Sequence, residues 1–314
     1  TALSGDGCVC LVGFGAETRT LVNQIRGCTD LCLSETRLSL ALPDGIESWD
    51  LQEENTSPWT SDRKKDRLGP PLNLPLVPGG YLAARPPLYR LLPPHLSAKS
   101  LALSAEHAVL LSASGAVYTW GIGSHGQLGH GGLTPEEQPR AVEALWGMPM
   151  SHVATGGWHS VCISDGGDLY VWGWNESGQL GLPSRGLRKA SQKQCSQHAG
   201  PPSTSACPAE NPQEAESPDE VFISIQAFPA LLDVTPSCEI RTVSCGSRHT
   251  AAVTTTGDLY TWGWGDYGQL GHQTLISTDE PQRVAFFQEQ QLRVVDVVCG
   301  AWNTFVAVVK EEIT

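Results

Sequence analysis

Two stretches of the chain carry the glycine spacing of a dinucleotide-binding turn, Gly121-x-Gly123-x-x-Gly126 and Gly263-x-Gly265-x-x-Gly268. That chemistry requires a helix directly after the last glycine, so that its N-terminus faces a pyrophosphate. Here Gln-Leu-Gly follows both stretches, which is turn sequence, so the glycines answer to backbone geometry. Three histidines, His107, His159 and His249, recur at one level of similar segments and could suggest a metal site. No carboxylate or cysteine accompanies them at ligand spacing. They read instead as histidines hydrogen-bonded to neighbouring backbone between repeated units. The 10 cysteines are spread from Cys8 to Cys299 without a paired C-x2-C cluster. That spread excludes a zinc ribbon and is too sparse for a disulfide scaffold. It predicts reduced, structural thiols in an intracellular protein. Cys245 and Cys299 stand at equivalent places before a glycine and read as small buried fillers. No G-x-S-x-G, H-E-x-x-H or Walker sequence is present. The chain therefore reads as a non-enzyme, with no catalytic residues, no cofactor and no metal.

The elements that hold these residues are repeats. Three segments align: Gly115-Ala-Val-Tyr-Thr-Trp-Gly-Ile-Gly-Ser-His-Gly-Gln-Leu-Gly129, Gly167-Asp-Leu-Tyr-Val-Trp-Gly-Trp-Asn-Glu-Ser-Gly-Gln-Leu-Gly181 and Gly257-Asp-Leu-Tyr-Thr-Trp-Gly-Trp-Gly-Asp-Tyr-Gly-Gln-Leu-Gly271. Their central tryptophans, Trp120, Trp172 and Trp262, lie 52 and 90 residues apart. A second motif precedes each copy: Glu106-His107, Trp158-His159-Ser160, Arg248-His249-Thr250, and a fourth time Trp302-Asn303-Thr304. The period is thus near 52, and the longer gap contains an insertion. Each unit reads as short β-branched or aromatic strands bounded by glycine turns. Several strands at this period fit a β-propeller blade. Within a unit the Gly-Gln-Leu-Gly leucine can be buried, and its glutamine can tie down turn amides and carbonyls. Trp120, Trp172 and Trp262 are assigned to the blade core, and Trp174 and Trp264 with them.

These units resemble regulator-of-chromosome-condensation repeats, in which a Gly-x-x-His-Thr strand is followed by Tyr-x-Trp-Gly and a Gly-Gln-Leu-Gly turn. The resemblance covers about residues 99–183 and 221–309. It implies an all-β fold, a β-propeller of four-stranded blades, about six or seven of them, with the N-terminal ones degenerate. It also places the residues beside each repeat histidine near one face. Glu106, Trp158, Arg248 and Trp302 differ between copies there, and Trp and Arg are favoured anchors of protein interfaces. The turn before Gly-Gln-Leu-Gly varies too, and offers His125, Glu176, Asp266 and Tyr267 as exposed residues. These eight are the expected partner-binding set.

The remaining chain divides by composition. Residues 1–42 read as degenerate propeller strands. Residues 43–98 are proline-rich and read as an extended crossing segment, with a short basic run at 61–67 that hints at a nuclear address. Residues 99–183 and 221–314 are the regular blades. Residues 184–220, rich in Ser, Gln, Pro, Ala and Glu, read as a disordered insertion. The last unit stops after Val297-Val-Cys-Gly-Ala-Trp-Asn-Thr-Phe-Val-Ala-Val-Val309, half a repeat. Its missing half is expected from the N-terminal side, from near residues 8–15 or from a segment before Thr1.

Lysine and arginine total 20 against 33 acids, a formal net charge of −13. Such a chain is a poor wrapper of DNA, and direct DNA binding is not expected. No apolar run is long enough to span a bilayer as a helix. The resemblance implies a scaffold in a nuclear, chromosome-associated setting that presents a propeller face to a protein partner and reaches chromatin or histones indirectly. For a small member of the family it implies a complex with a Jumonji-type oxygenase. The alternative is guanine-nucleotide exchange on a small GTPase, the founding member's activity. A third reading borrows from the family's plant ultraviolet sensor, whose tryptophans cluster on one face. There, however, the tryptophan stands one residue earlier than Trp158 and Trp302 do here.

Overall fold

The computed structural model describes residues 2–3, 9–10, 27–33, 37–50, 58–62, 73–188 and 221–310. They divide into two compact units, the first comprising residues 1–105 and 110–114 and the second residues 106–109 and 115–314. The described residues are overwhelmingly β.

In the first unit, β1 (Ala2–Leu3) pairs with β2 (Val9–Cys10). Strands β3 (Asp30–Leu33), β4 (Arg37–Leu42), β5 (Gly45–Asp50) and β6 (Trp59–Asp62) form a four-stranded antiparallel sheet in chain order. Its apolar side buries Leu38 and Leu40 with Cys28. Strands β7 (Leu76–Val77), β8 (Gly80–Leu82) and β9 (Tyr89–Leu91) form a second, shorter sheet, and β10 (Ala98–Leu103) follows. Between residues 43 and 98, where the composition suggests a crossing segment, the described residues thus hold five strands. Two of the described prolines sit in tight turns: Pro43-Asp44 turns β4 into β5, and Pro78-Gly79 turns β7 into β8. The first sheet also runs straight through the boundary expected at residue 42.

The second unit holds the repeats. It begins at Glu106 with the first residues of β11 (His107–Ser112) and resumes with β12 (Val117–Gly121), which pairs with β13 (Glu136–Ala141). Strands β14 (Met150–Thr155), β15 (His159–Ser164), β16 (Leu169–Trp174) and β17 (Ile225–Leu232) form one four-stranded antiparallel sheet. Strands β18 (Ile240–Cys245), β19 (His249–Thr254), β20 (Leu259–Gly263) and β21 (Thr278–Arg283) form the next. A short helix α1 (Ala285–Glu289) leads to β22 (Leu292–Cys299) and β23 (Thr304–Lys310), which among the described residues pair only with each other.

Two consecutive sheets share one apolar seam. Val161, Ile163, Leu169, Val171 and Leu180 from one pack with Val243, Ala252, Tyr260 and Trp262 from the next. Each fully buried valine, leucine or isoleucine side chain contributes about 1.5–3 kcal/mol. The 38-residue excess of the longer period falls between β16 and β17, which still pair in register, Leu169 opposite Leu232. Of the expected insertion, residues 189–220 lie outside the described residues. Ser184, at its start, is buried: its N–H donates to Asp279 Oδ2 at 2.6 Å and its hydroxyl to the Glu176 carbonyl at 2.9 Å.

Candidate functional site

The turn that follows each central tryptophan explains its own sequence. Gly126 and Gly129 close two successive turns, as do Gly178 and Gly181, and Gly268 and Gly271. All six have φ between +73° and +77°, a conformation that suits glycine. The leucines Leu128, Leu180 and Leu270 are buried. The glutamine side chain accepts from the turn amide two residues earlier, from His125, Ser177 or Tyr267. No helix follows, so the dinucleotide geometry is absent at both glycine-rich stretches.

Each glutamine's backbone carbonyl binds the next repeat. Gln127 O accepts from Ser160 Oγ and Trp172 Nε1, both at 2.8 Å. Gln179 O accepts from Thr250 Oγ1 at 2.8 Å and Trp262 Nε1 at 3.0 Å. The repeat histidines complete the junction: His107 Nε2 meets Ser160 Oγ at 2.8 Å, His159 Nε2 meets Thr250 Oγ1 at 2.9 Å, and His249 Nε2 meets Thr304 Oγ1 at 2.9 Å. The histidines do act between units, but on a hydroxyl rather than directly on backbone. Each hydroxyl has one hydrogen, given to the glutamine carbonyl, so it must accept from the imidazole. The histidines therefore carry a proton on Nε2, and burial keeps them neutral. Burial holds His107 and His159 down to about 3 and His249 to about 4. The His159 ring lies on Gly156 and the His249 ring on Gly246, where any Cβ would collide with it. Hence the glycine three residues before each of these histidines.

These groups are structural, and the thiols are equally inert. Cys245 and Cys299 have their pKa raised by burial, Cys299 to about 12. Among the described residues no cluster of three His, Cys, Asp or Glu could hold a metal, and no helix is long and apolar enough to cross a membrane.

The same register that buries each histidine turns the residue before it outward. The carbonyl of that residue accepts from the amide just after Trp-Gly: Glu106 from Ile122, Trp158 from Trp174, and Arg248 from Trp264. Trp158 and Trp174, and likewise Arg248 and Trp264, lie side by side. In the second unit an aromatic shelf results. The Arg248 guanidinium carbon lies 4.9 Å from the ring centres of both Trp174 and Trp264 and 5.9 Å from Trp158. Trp158 and Trp174 meet edge to face at 5.4 Å, and His125 meets Trp174 edge-on, also at 5.4 Å. On the other side Trp264 meets Trp302 at 5.1 Å and Tyr267 at 5.6 Å. Among the described residues Arg248 has no carboxylate partner, and its buried Nε makes no hydrogen bond. Stacking on tryptophan, worth about 0.5–2 kcal/mol per ring, is what holds it.

Five of the eight expected residues thus come together: His125, Trp158, Arg248, Tyr267 and Trp302. Tyr267 is 65% and Trp302 43% exposed. Glu176 and Asp266 are exposed on neighbouring turns, Asp266 accepting from Ser277 Oγ at 3.0 Å. Glu106 holds the equivalent place one repeat earlier. Trp174 and Trp264 are corrections: assigned to the core by sequence, they are half-exposed members of the shelf. Period-two alternation would put Trp172 and Trp174 on one side of β16. The register shift at Gly173 (φ +111°), repeated at Gly263 (φ +103°), turns the second tryptophan out.

The chain matches the family model described as regulator of chromosome condensation (RCC1) repeat over residues 114–163, 166–253 and 256–307. It is 50% identical to human RCC1 domain-containing protein 1 over 76% of this chain and 64% of that protein. It is 30% identical to the ultraviolet-B receptor UVR8 of Arabidopsis thaliana over 67% of this chain and 50% of the receptor. Among solved structures it is similar to Prp20p of Saccharomyces cerevisiae, described with its binding properties to Gsp1p and histones. The TM-score is 0.64 at 17% identity, covering 91% of this chain and 69% of that one. This likeness shows the β-propeller fold. The chain spans about two thirds or less of the lengths of these relatives.

Proposed function

The chain belongs to the regulator of chromosome condensation (RCC1) repeat family, and on that premise we propose that it is a non-catalytic scaffold which offers its aromatic shelf to a nuclear protein partner. The observation that carries this reading is the shelf itself. Four tryptophans, a tyrosine and a histidine gather around an arginine that has no carboxylate partner among the described residues. Clustered Trp, Tyr and Arg at a half-exposed surface have the composition of an interface hot spot. Neutral buried histidines and protonated buried thiols support a binding role over a catalytic one. The partner-binding set is Trp158, Trp174, Arg248, Trp264 and Trp302 at the centre, with His125, Tyr267, Glu176, Asp266 and Glu106 around it. A Jumonji-type oxygenase is the partner expected from the family resemblance.

Guanine-nucleotide exchange is the second reading. The exposed acids Glu176 and Asp266 beside the shelf favour it, as does the description of yeast Prp20p with Gsp1p. Affinity purification decides between them: a co-purified oxygenase supports the scaffold, and a nucleotide-free GTPase supports exchange. Arg248→Ala and Trp158→Ala should each weaken capture by about 2–4 kcal/mol. A melting-temperature loss as large as that of a core tryptophan, with capture unchanged, would assign the cluster to folding alone.

A further inference from the structure

The last strands of three successive sheets can be laid side by side, because each pairs in the same register with the strand before it. Gly121, Gly173 and Gly263 stand opposite Glu136, Gln226 and Thr278, and Tyr118, Tyr170 and Tyr260 opposite Ala141, Leu231 and Arg283. The three strands therefore align as Glu136-Glu-Gln-Pro-Arg-Ala141 in β13, Gln226-Ala-Phe-Pro-Ala-Leu231 in β17 and Thr278-Asp-Glu-Pro-Gln-Arg283 in β21. All three have proline at one place, as suits the edge of a sheet. Around it β13 and β21 carry mostly charged and amide side chains, which protect such an edge. At the same places β17 has alanine, phenylalanine, alanine and leucine. Phe228 and Leu231 are each 53% exposed, although repeats precede and follow this one in the chain.

The neighbours of β17 extend this strip. The Phe228 ring lies over Gly131 of the preceding repeat, where any Cβ would collide with it, and Gly131 N–H donates to Ala227 O at 3.0 Å. Phe228 is thus held in place before any partner arrives, which lowers the ordering cost of binding. Leu231 stands opposite Tyr170, whose hydroxyl donates to Met148 Sδ at 3.4 Å. Two residues before Met148 is Trp146, 66% exposed, and the 3-10 turn Glu143–Leu145 that leads to it packs against β17. A run of exposed apolar side chains on one element marks an interaction surface. The insertion that precedes β17 offers no apolar cover, since residues 189–220 contain no Leu, Ile, Val, Met, Phe, Tyr or Trp.

We propose that the strip formed by Trp146, Phe228 and Leu231 is a second docking site, separate from the aromatic shelf, and that it receives an amphipathic helix of a partner protein with lysine or arginine on its flanks. The backbone disfavours an added strand. Ala227 O is already engaged by Gly131, Phe228 O accepts from Gln226 Nε2 at 2.9 Å, and Pro229 has no N–H to give. The occupant is therefore recognised through side chains, and a helix presents apolar groups to such a strip at every third and fourth residue. Charge sets the flanks. Glu143, at the start of the turn beside β17, and Asp233, just past its end, are both exposed, and neither makes a salt bridge among the described residues. The arginine of the neighbouring strand β13, Arg140, is committed to Glu136 at 2.6 Å. Cations on the occupant supply what these two carboxylates lack, in a chain whose formal net charge is −13.

The test uses three short fluorescein-labelled peptides on the 314-residue chain, with fluorescence polarisation as the readout. The first is built of leucine and lysine with the leucines at helical spacing. The second has the same composition in strict alternation, and the third is the first with glutamate for lysine. The first should bind, and the other two at least tenfold more weakly. Phe228→Gln and Leu231→Ala, which put into β17 the residues that β13 carries at those places, should together weaken the first peptide at least tenfold while the melting temperature holds. Should Phe228→Gln unfold the chain, Leu231→Ala and Trp146→Ala, both at exposed positions, give the same reading. Glu143→Gln should weaken binding severalfold and reduce its salt dependence. Binding that survives the loss of Phe228 and Leu231, or no binding of the first peptide, would overturn the site. Tighter binding of the alternating peptide would overturn the helix as occupant. Dimerisation of the chain that Leu231→Ala abolishes would assign the strip to a second copy instead.

Discussion

The neutral histidines at the repeat junctions make stability depend on pH in a calculable way. In the folded chain His159 titrates at about 3, against an ordinary 6.5 when exposed. Between those values the unfolded chain binds a proton that the folded chain refuses, so stability rises with pH across the window. The contribution is complete above 6.5 and is lost progressively as pH falls toward 3. The cost is about 1.4 kcal/mol per pH unit, which makes about 2 kcal/mol for His159 at about pH 5. His107 and His249 are lowered for the same reason, so the three together withdraw about 6 kcal/mol. That is a large part of the roughly 5–15 kcal/mol that holds a domain folded. The fourth repeat supplies the perturbation. It carries Asn303 where the others carry histidine, with Oδ1 over Gly300 as the rings lie over theirs. His159→Asn should cost stability near neutrality, because the donor to Thr250 is altered. It should also lose about 2 kcal/mol less than the natural chain between about pH 7.5 and about pH 5. Urea unfolding at a series of pH values reads both slopes. Parallel slopes for the two proteins would refute the buried, neutral assignment.

The glycines under the rings give a sharper steric prediction. Gly156→Ala should destabilise by about 3 kcal/mol, near the upper end of overpacking costs, because the new methyl meets the His159 ring. Gly147→Ala is the control: its φ is +82° but nothing lies within 4 Å, so the backbone penalty of about 1–2 kcal/mol is all it should show. Trp262→Phe keeps most of the apolar surface and removes the indole donor to Gln179 O, and thermal melts should register about 1–3 kcal/mol. Arg248→Ala should change tryptophan emission, since it unstacks three rings, while lowering stability by less than Trp262→Phe does.

The repeats were legible because each of their signature residues has a single physical task that spacing reveals. Glycine sits at positive φ, leucine is buried, glutamine closes its own turn, and His159 and His249 each lie on a glycine three residues earlier. Trp174 and Trp264 were misread for an equally definite reason. A register shift at one glycine reverses their side of the strand, and alternation carries no sign of it. The eight expected face residues are those that vary between copies. That criterion found Trp158, Arg248 and Trp302 and passed over the second tryptophan of Trp-Gly-Trp, which is the same in two repeats. The N-terminal sheet was hidden differently. Pro43-Asp44-Gly45 reads as a boundary, and it is a tight turn in the middle of β3–β6. Strands without a repeated signature offer no second copy against which to check such a reading.

The junction hydrogen bonds are arranged in the same sense at every border. His107, His159 and His249 each donate to the hydroxyl of the repeat that follows, and each hydroxyl hands its own proton back to the glutamine carbonyl of the repeat before. The array therefore has a head and a tail, and its contacts are heterologous. A repeat duplicated in frame would meet its predecessor with the same donor and its successor with the same acceptor, and no new surface would have to arise. Repeat number can then change over evolutionary time by simple copying. A repeat inserted in the reverse sense would set histidine against histidine and carbonyl against carbonyl at one border, leaving those buried groups without partners.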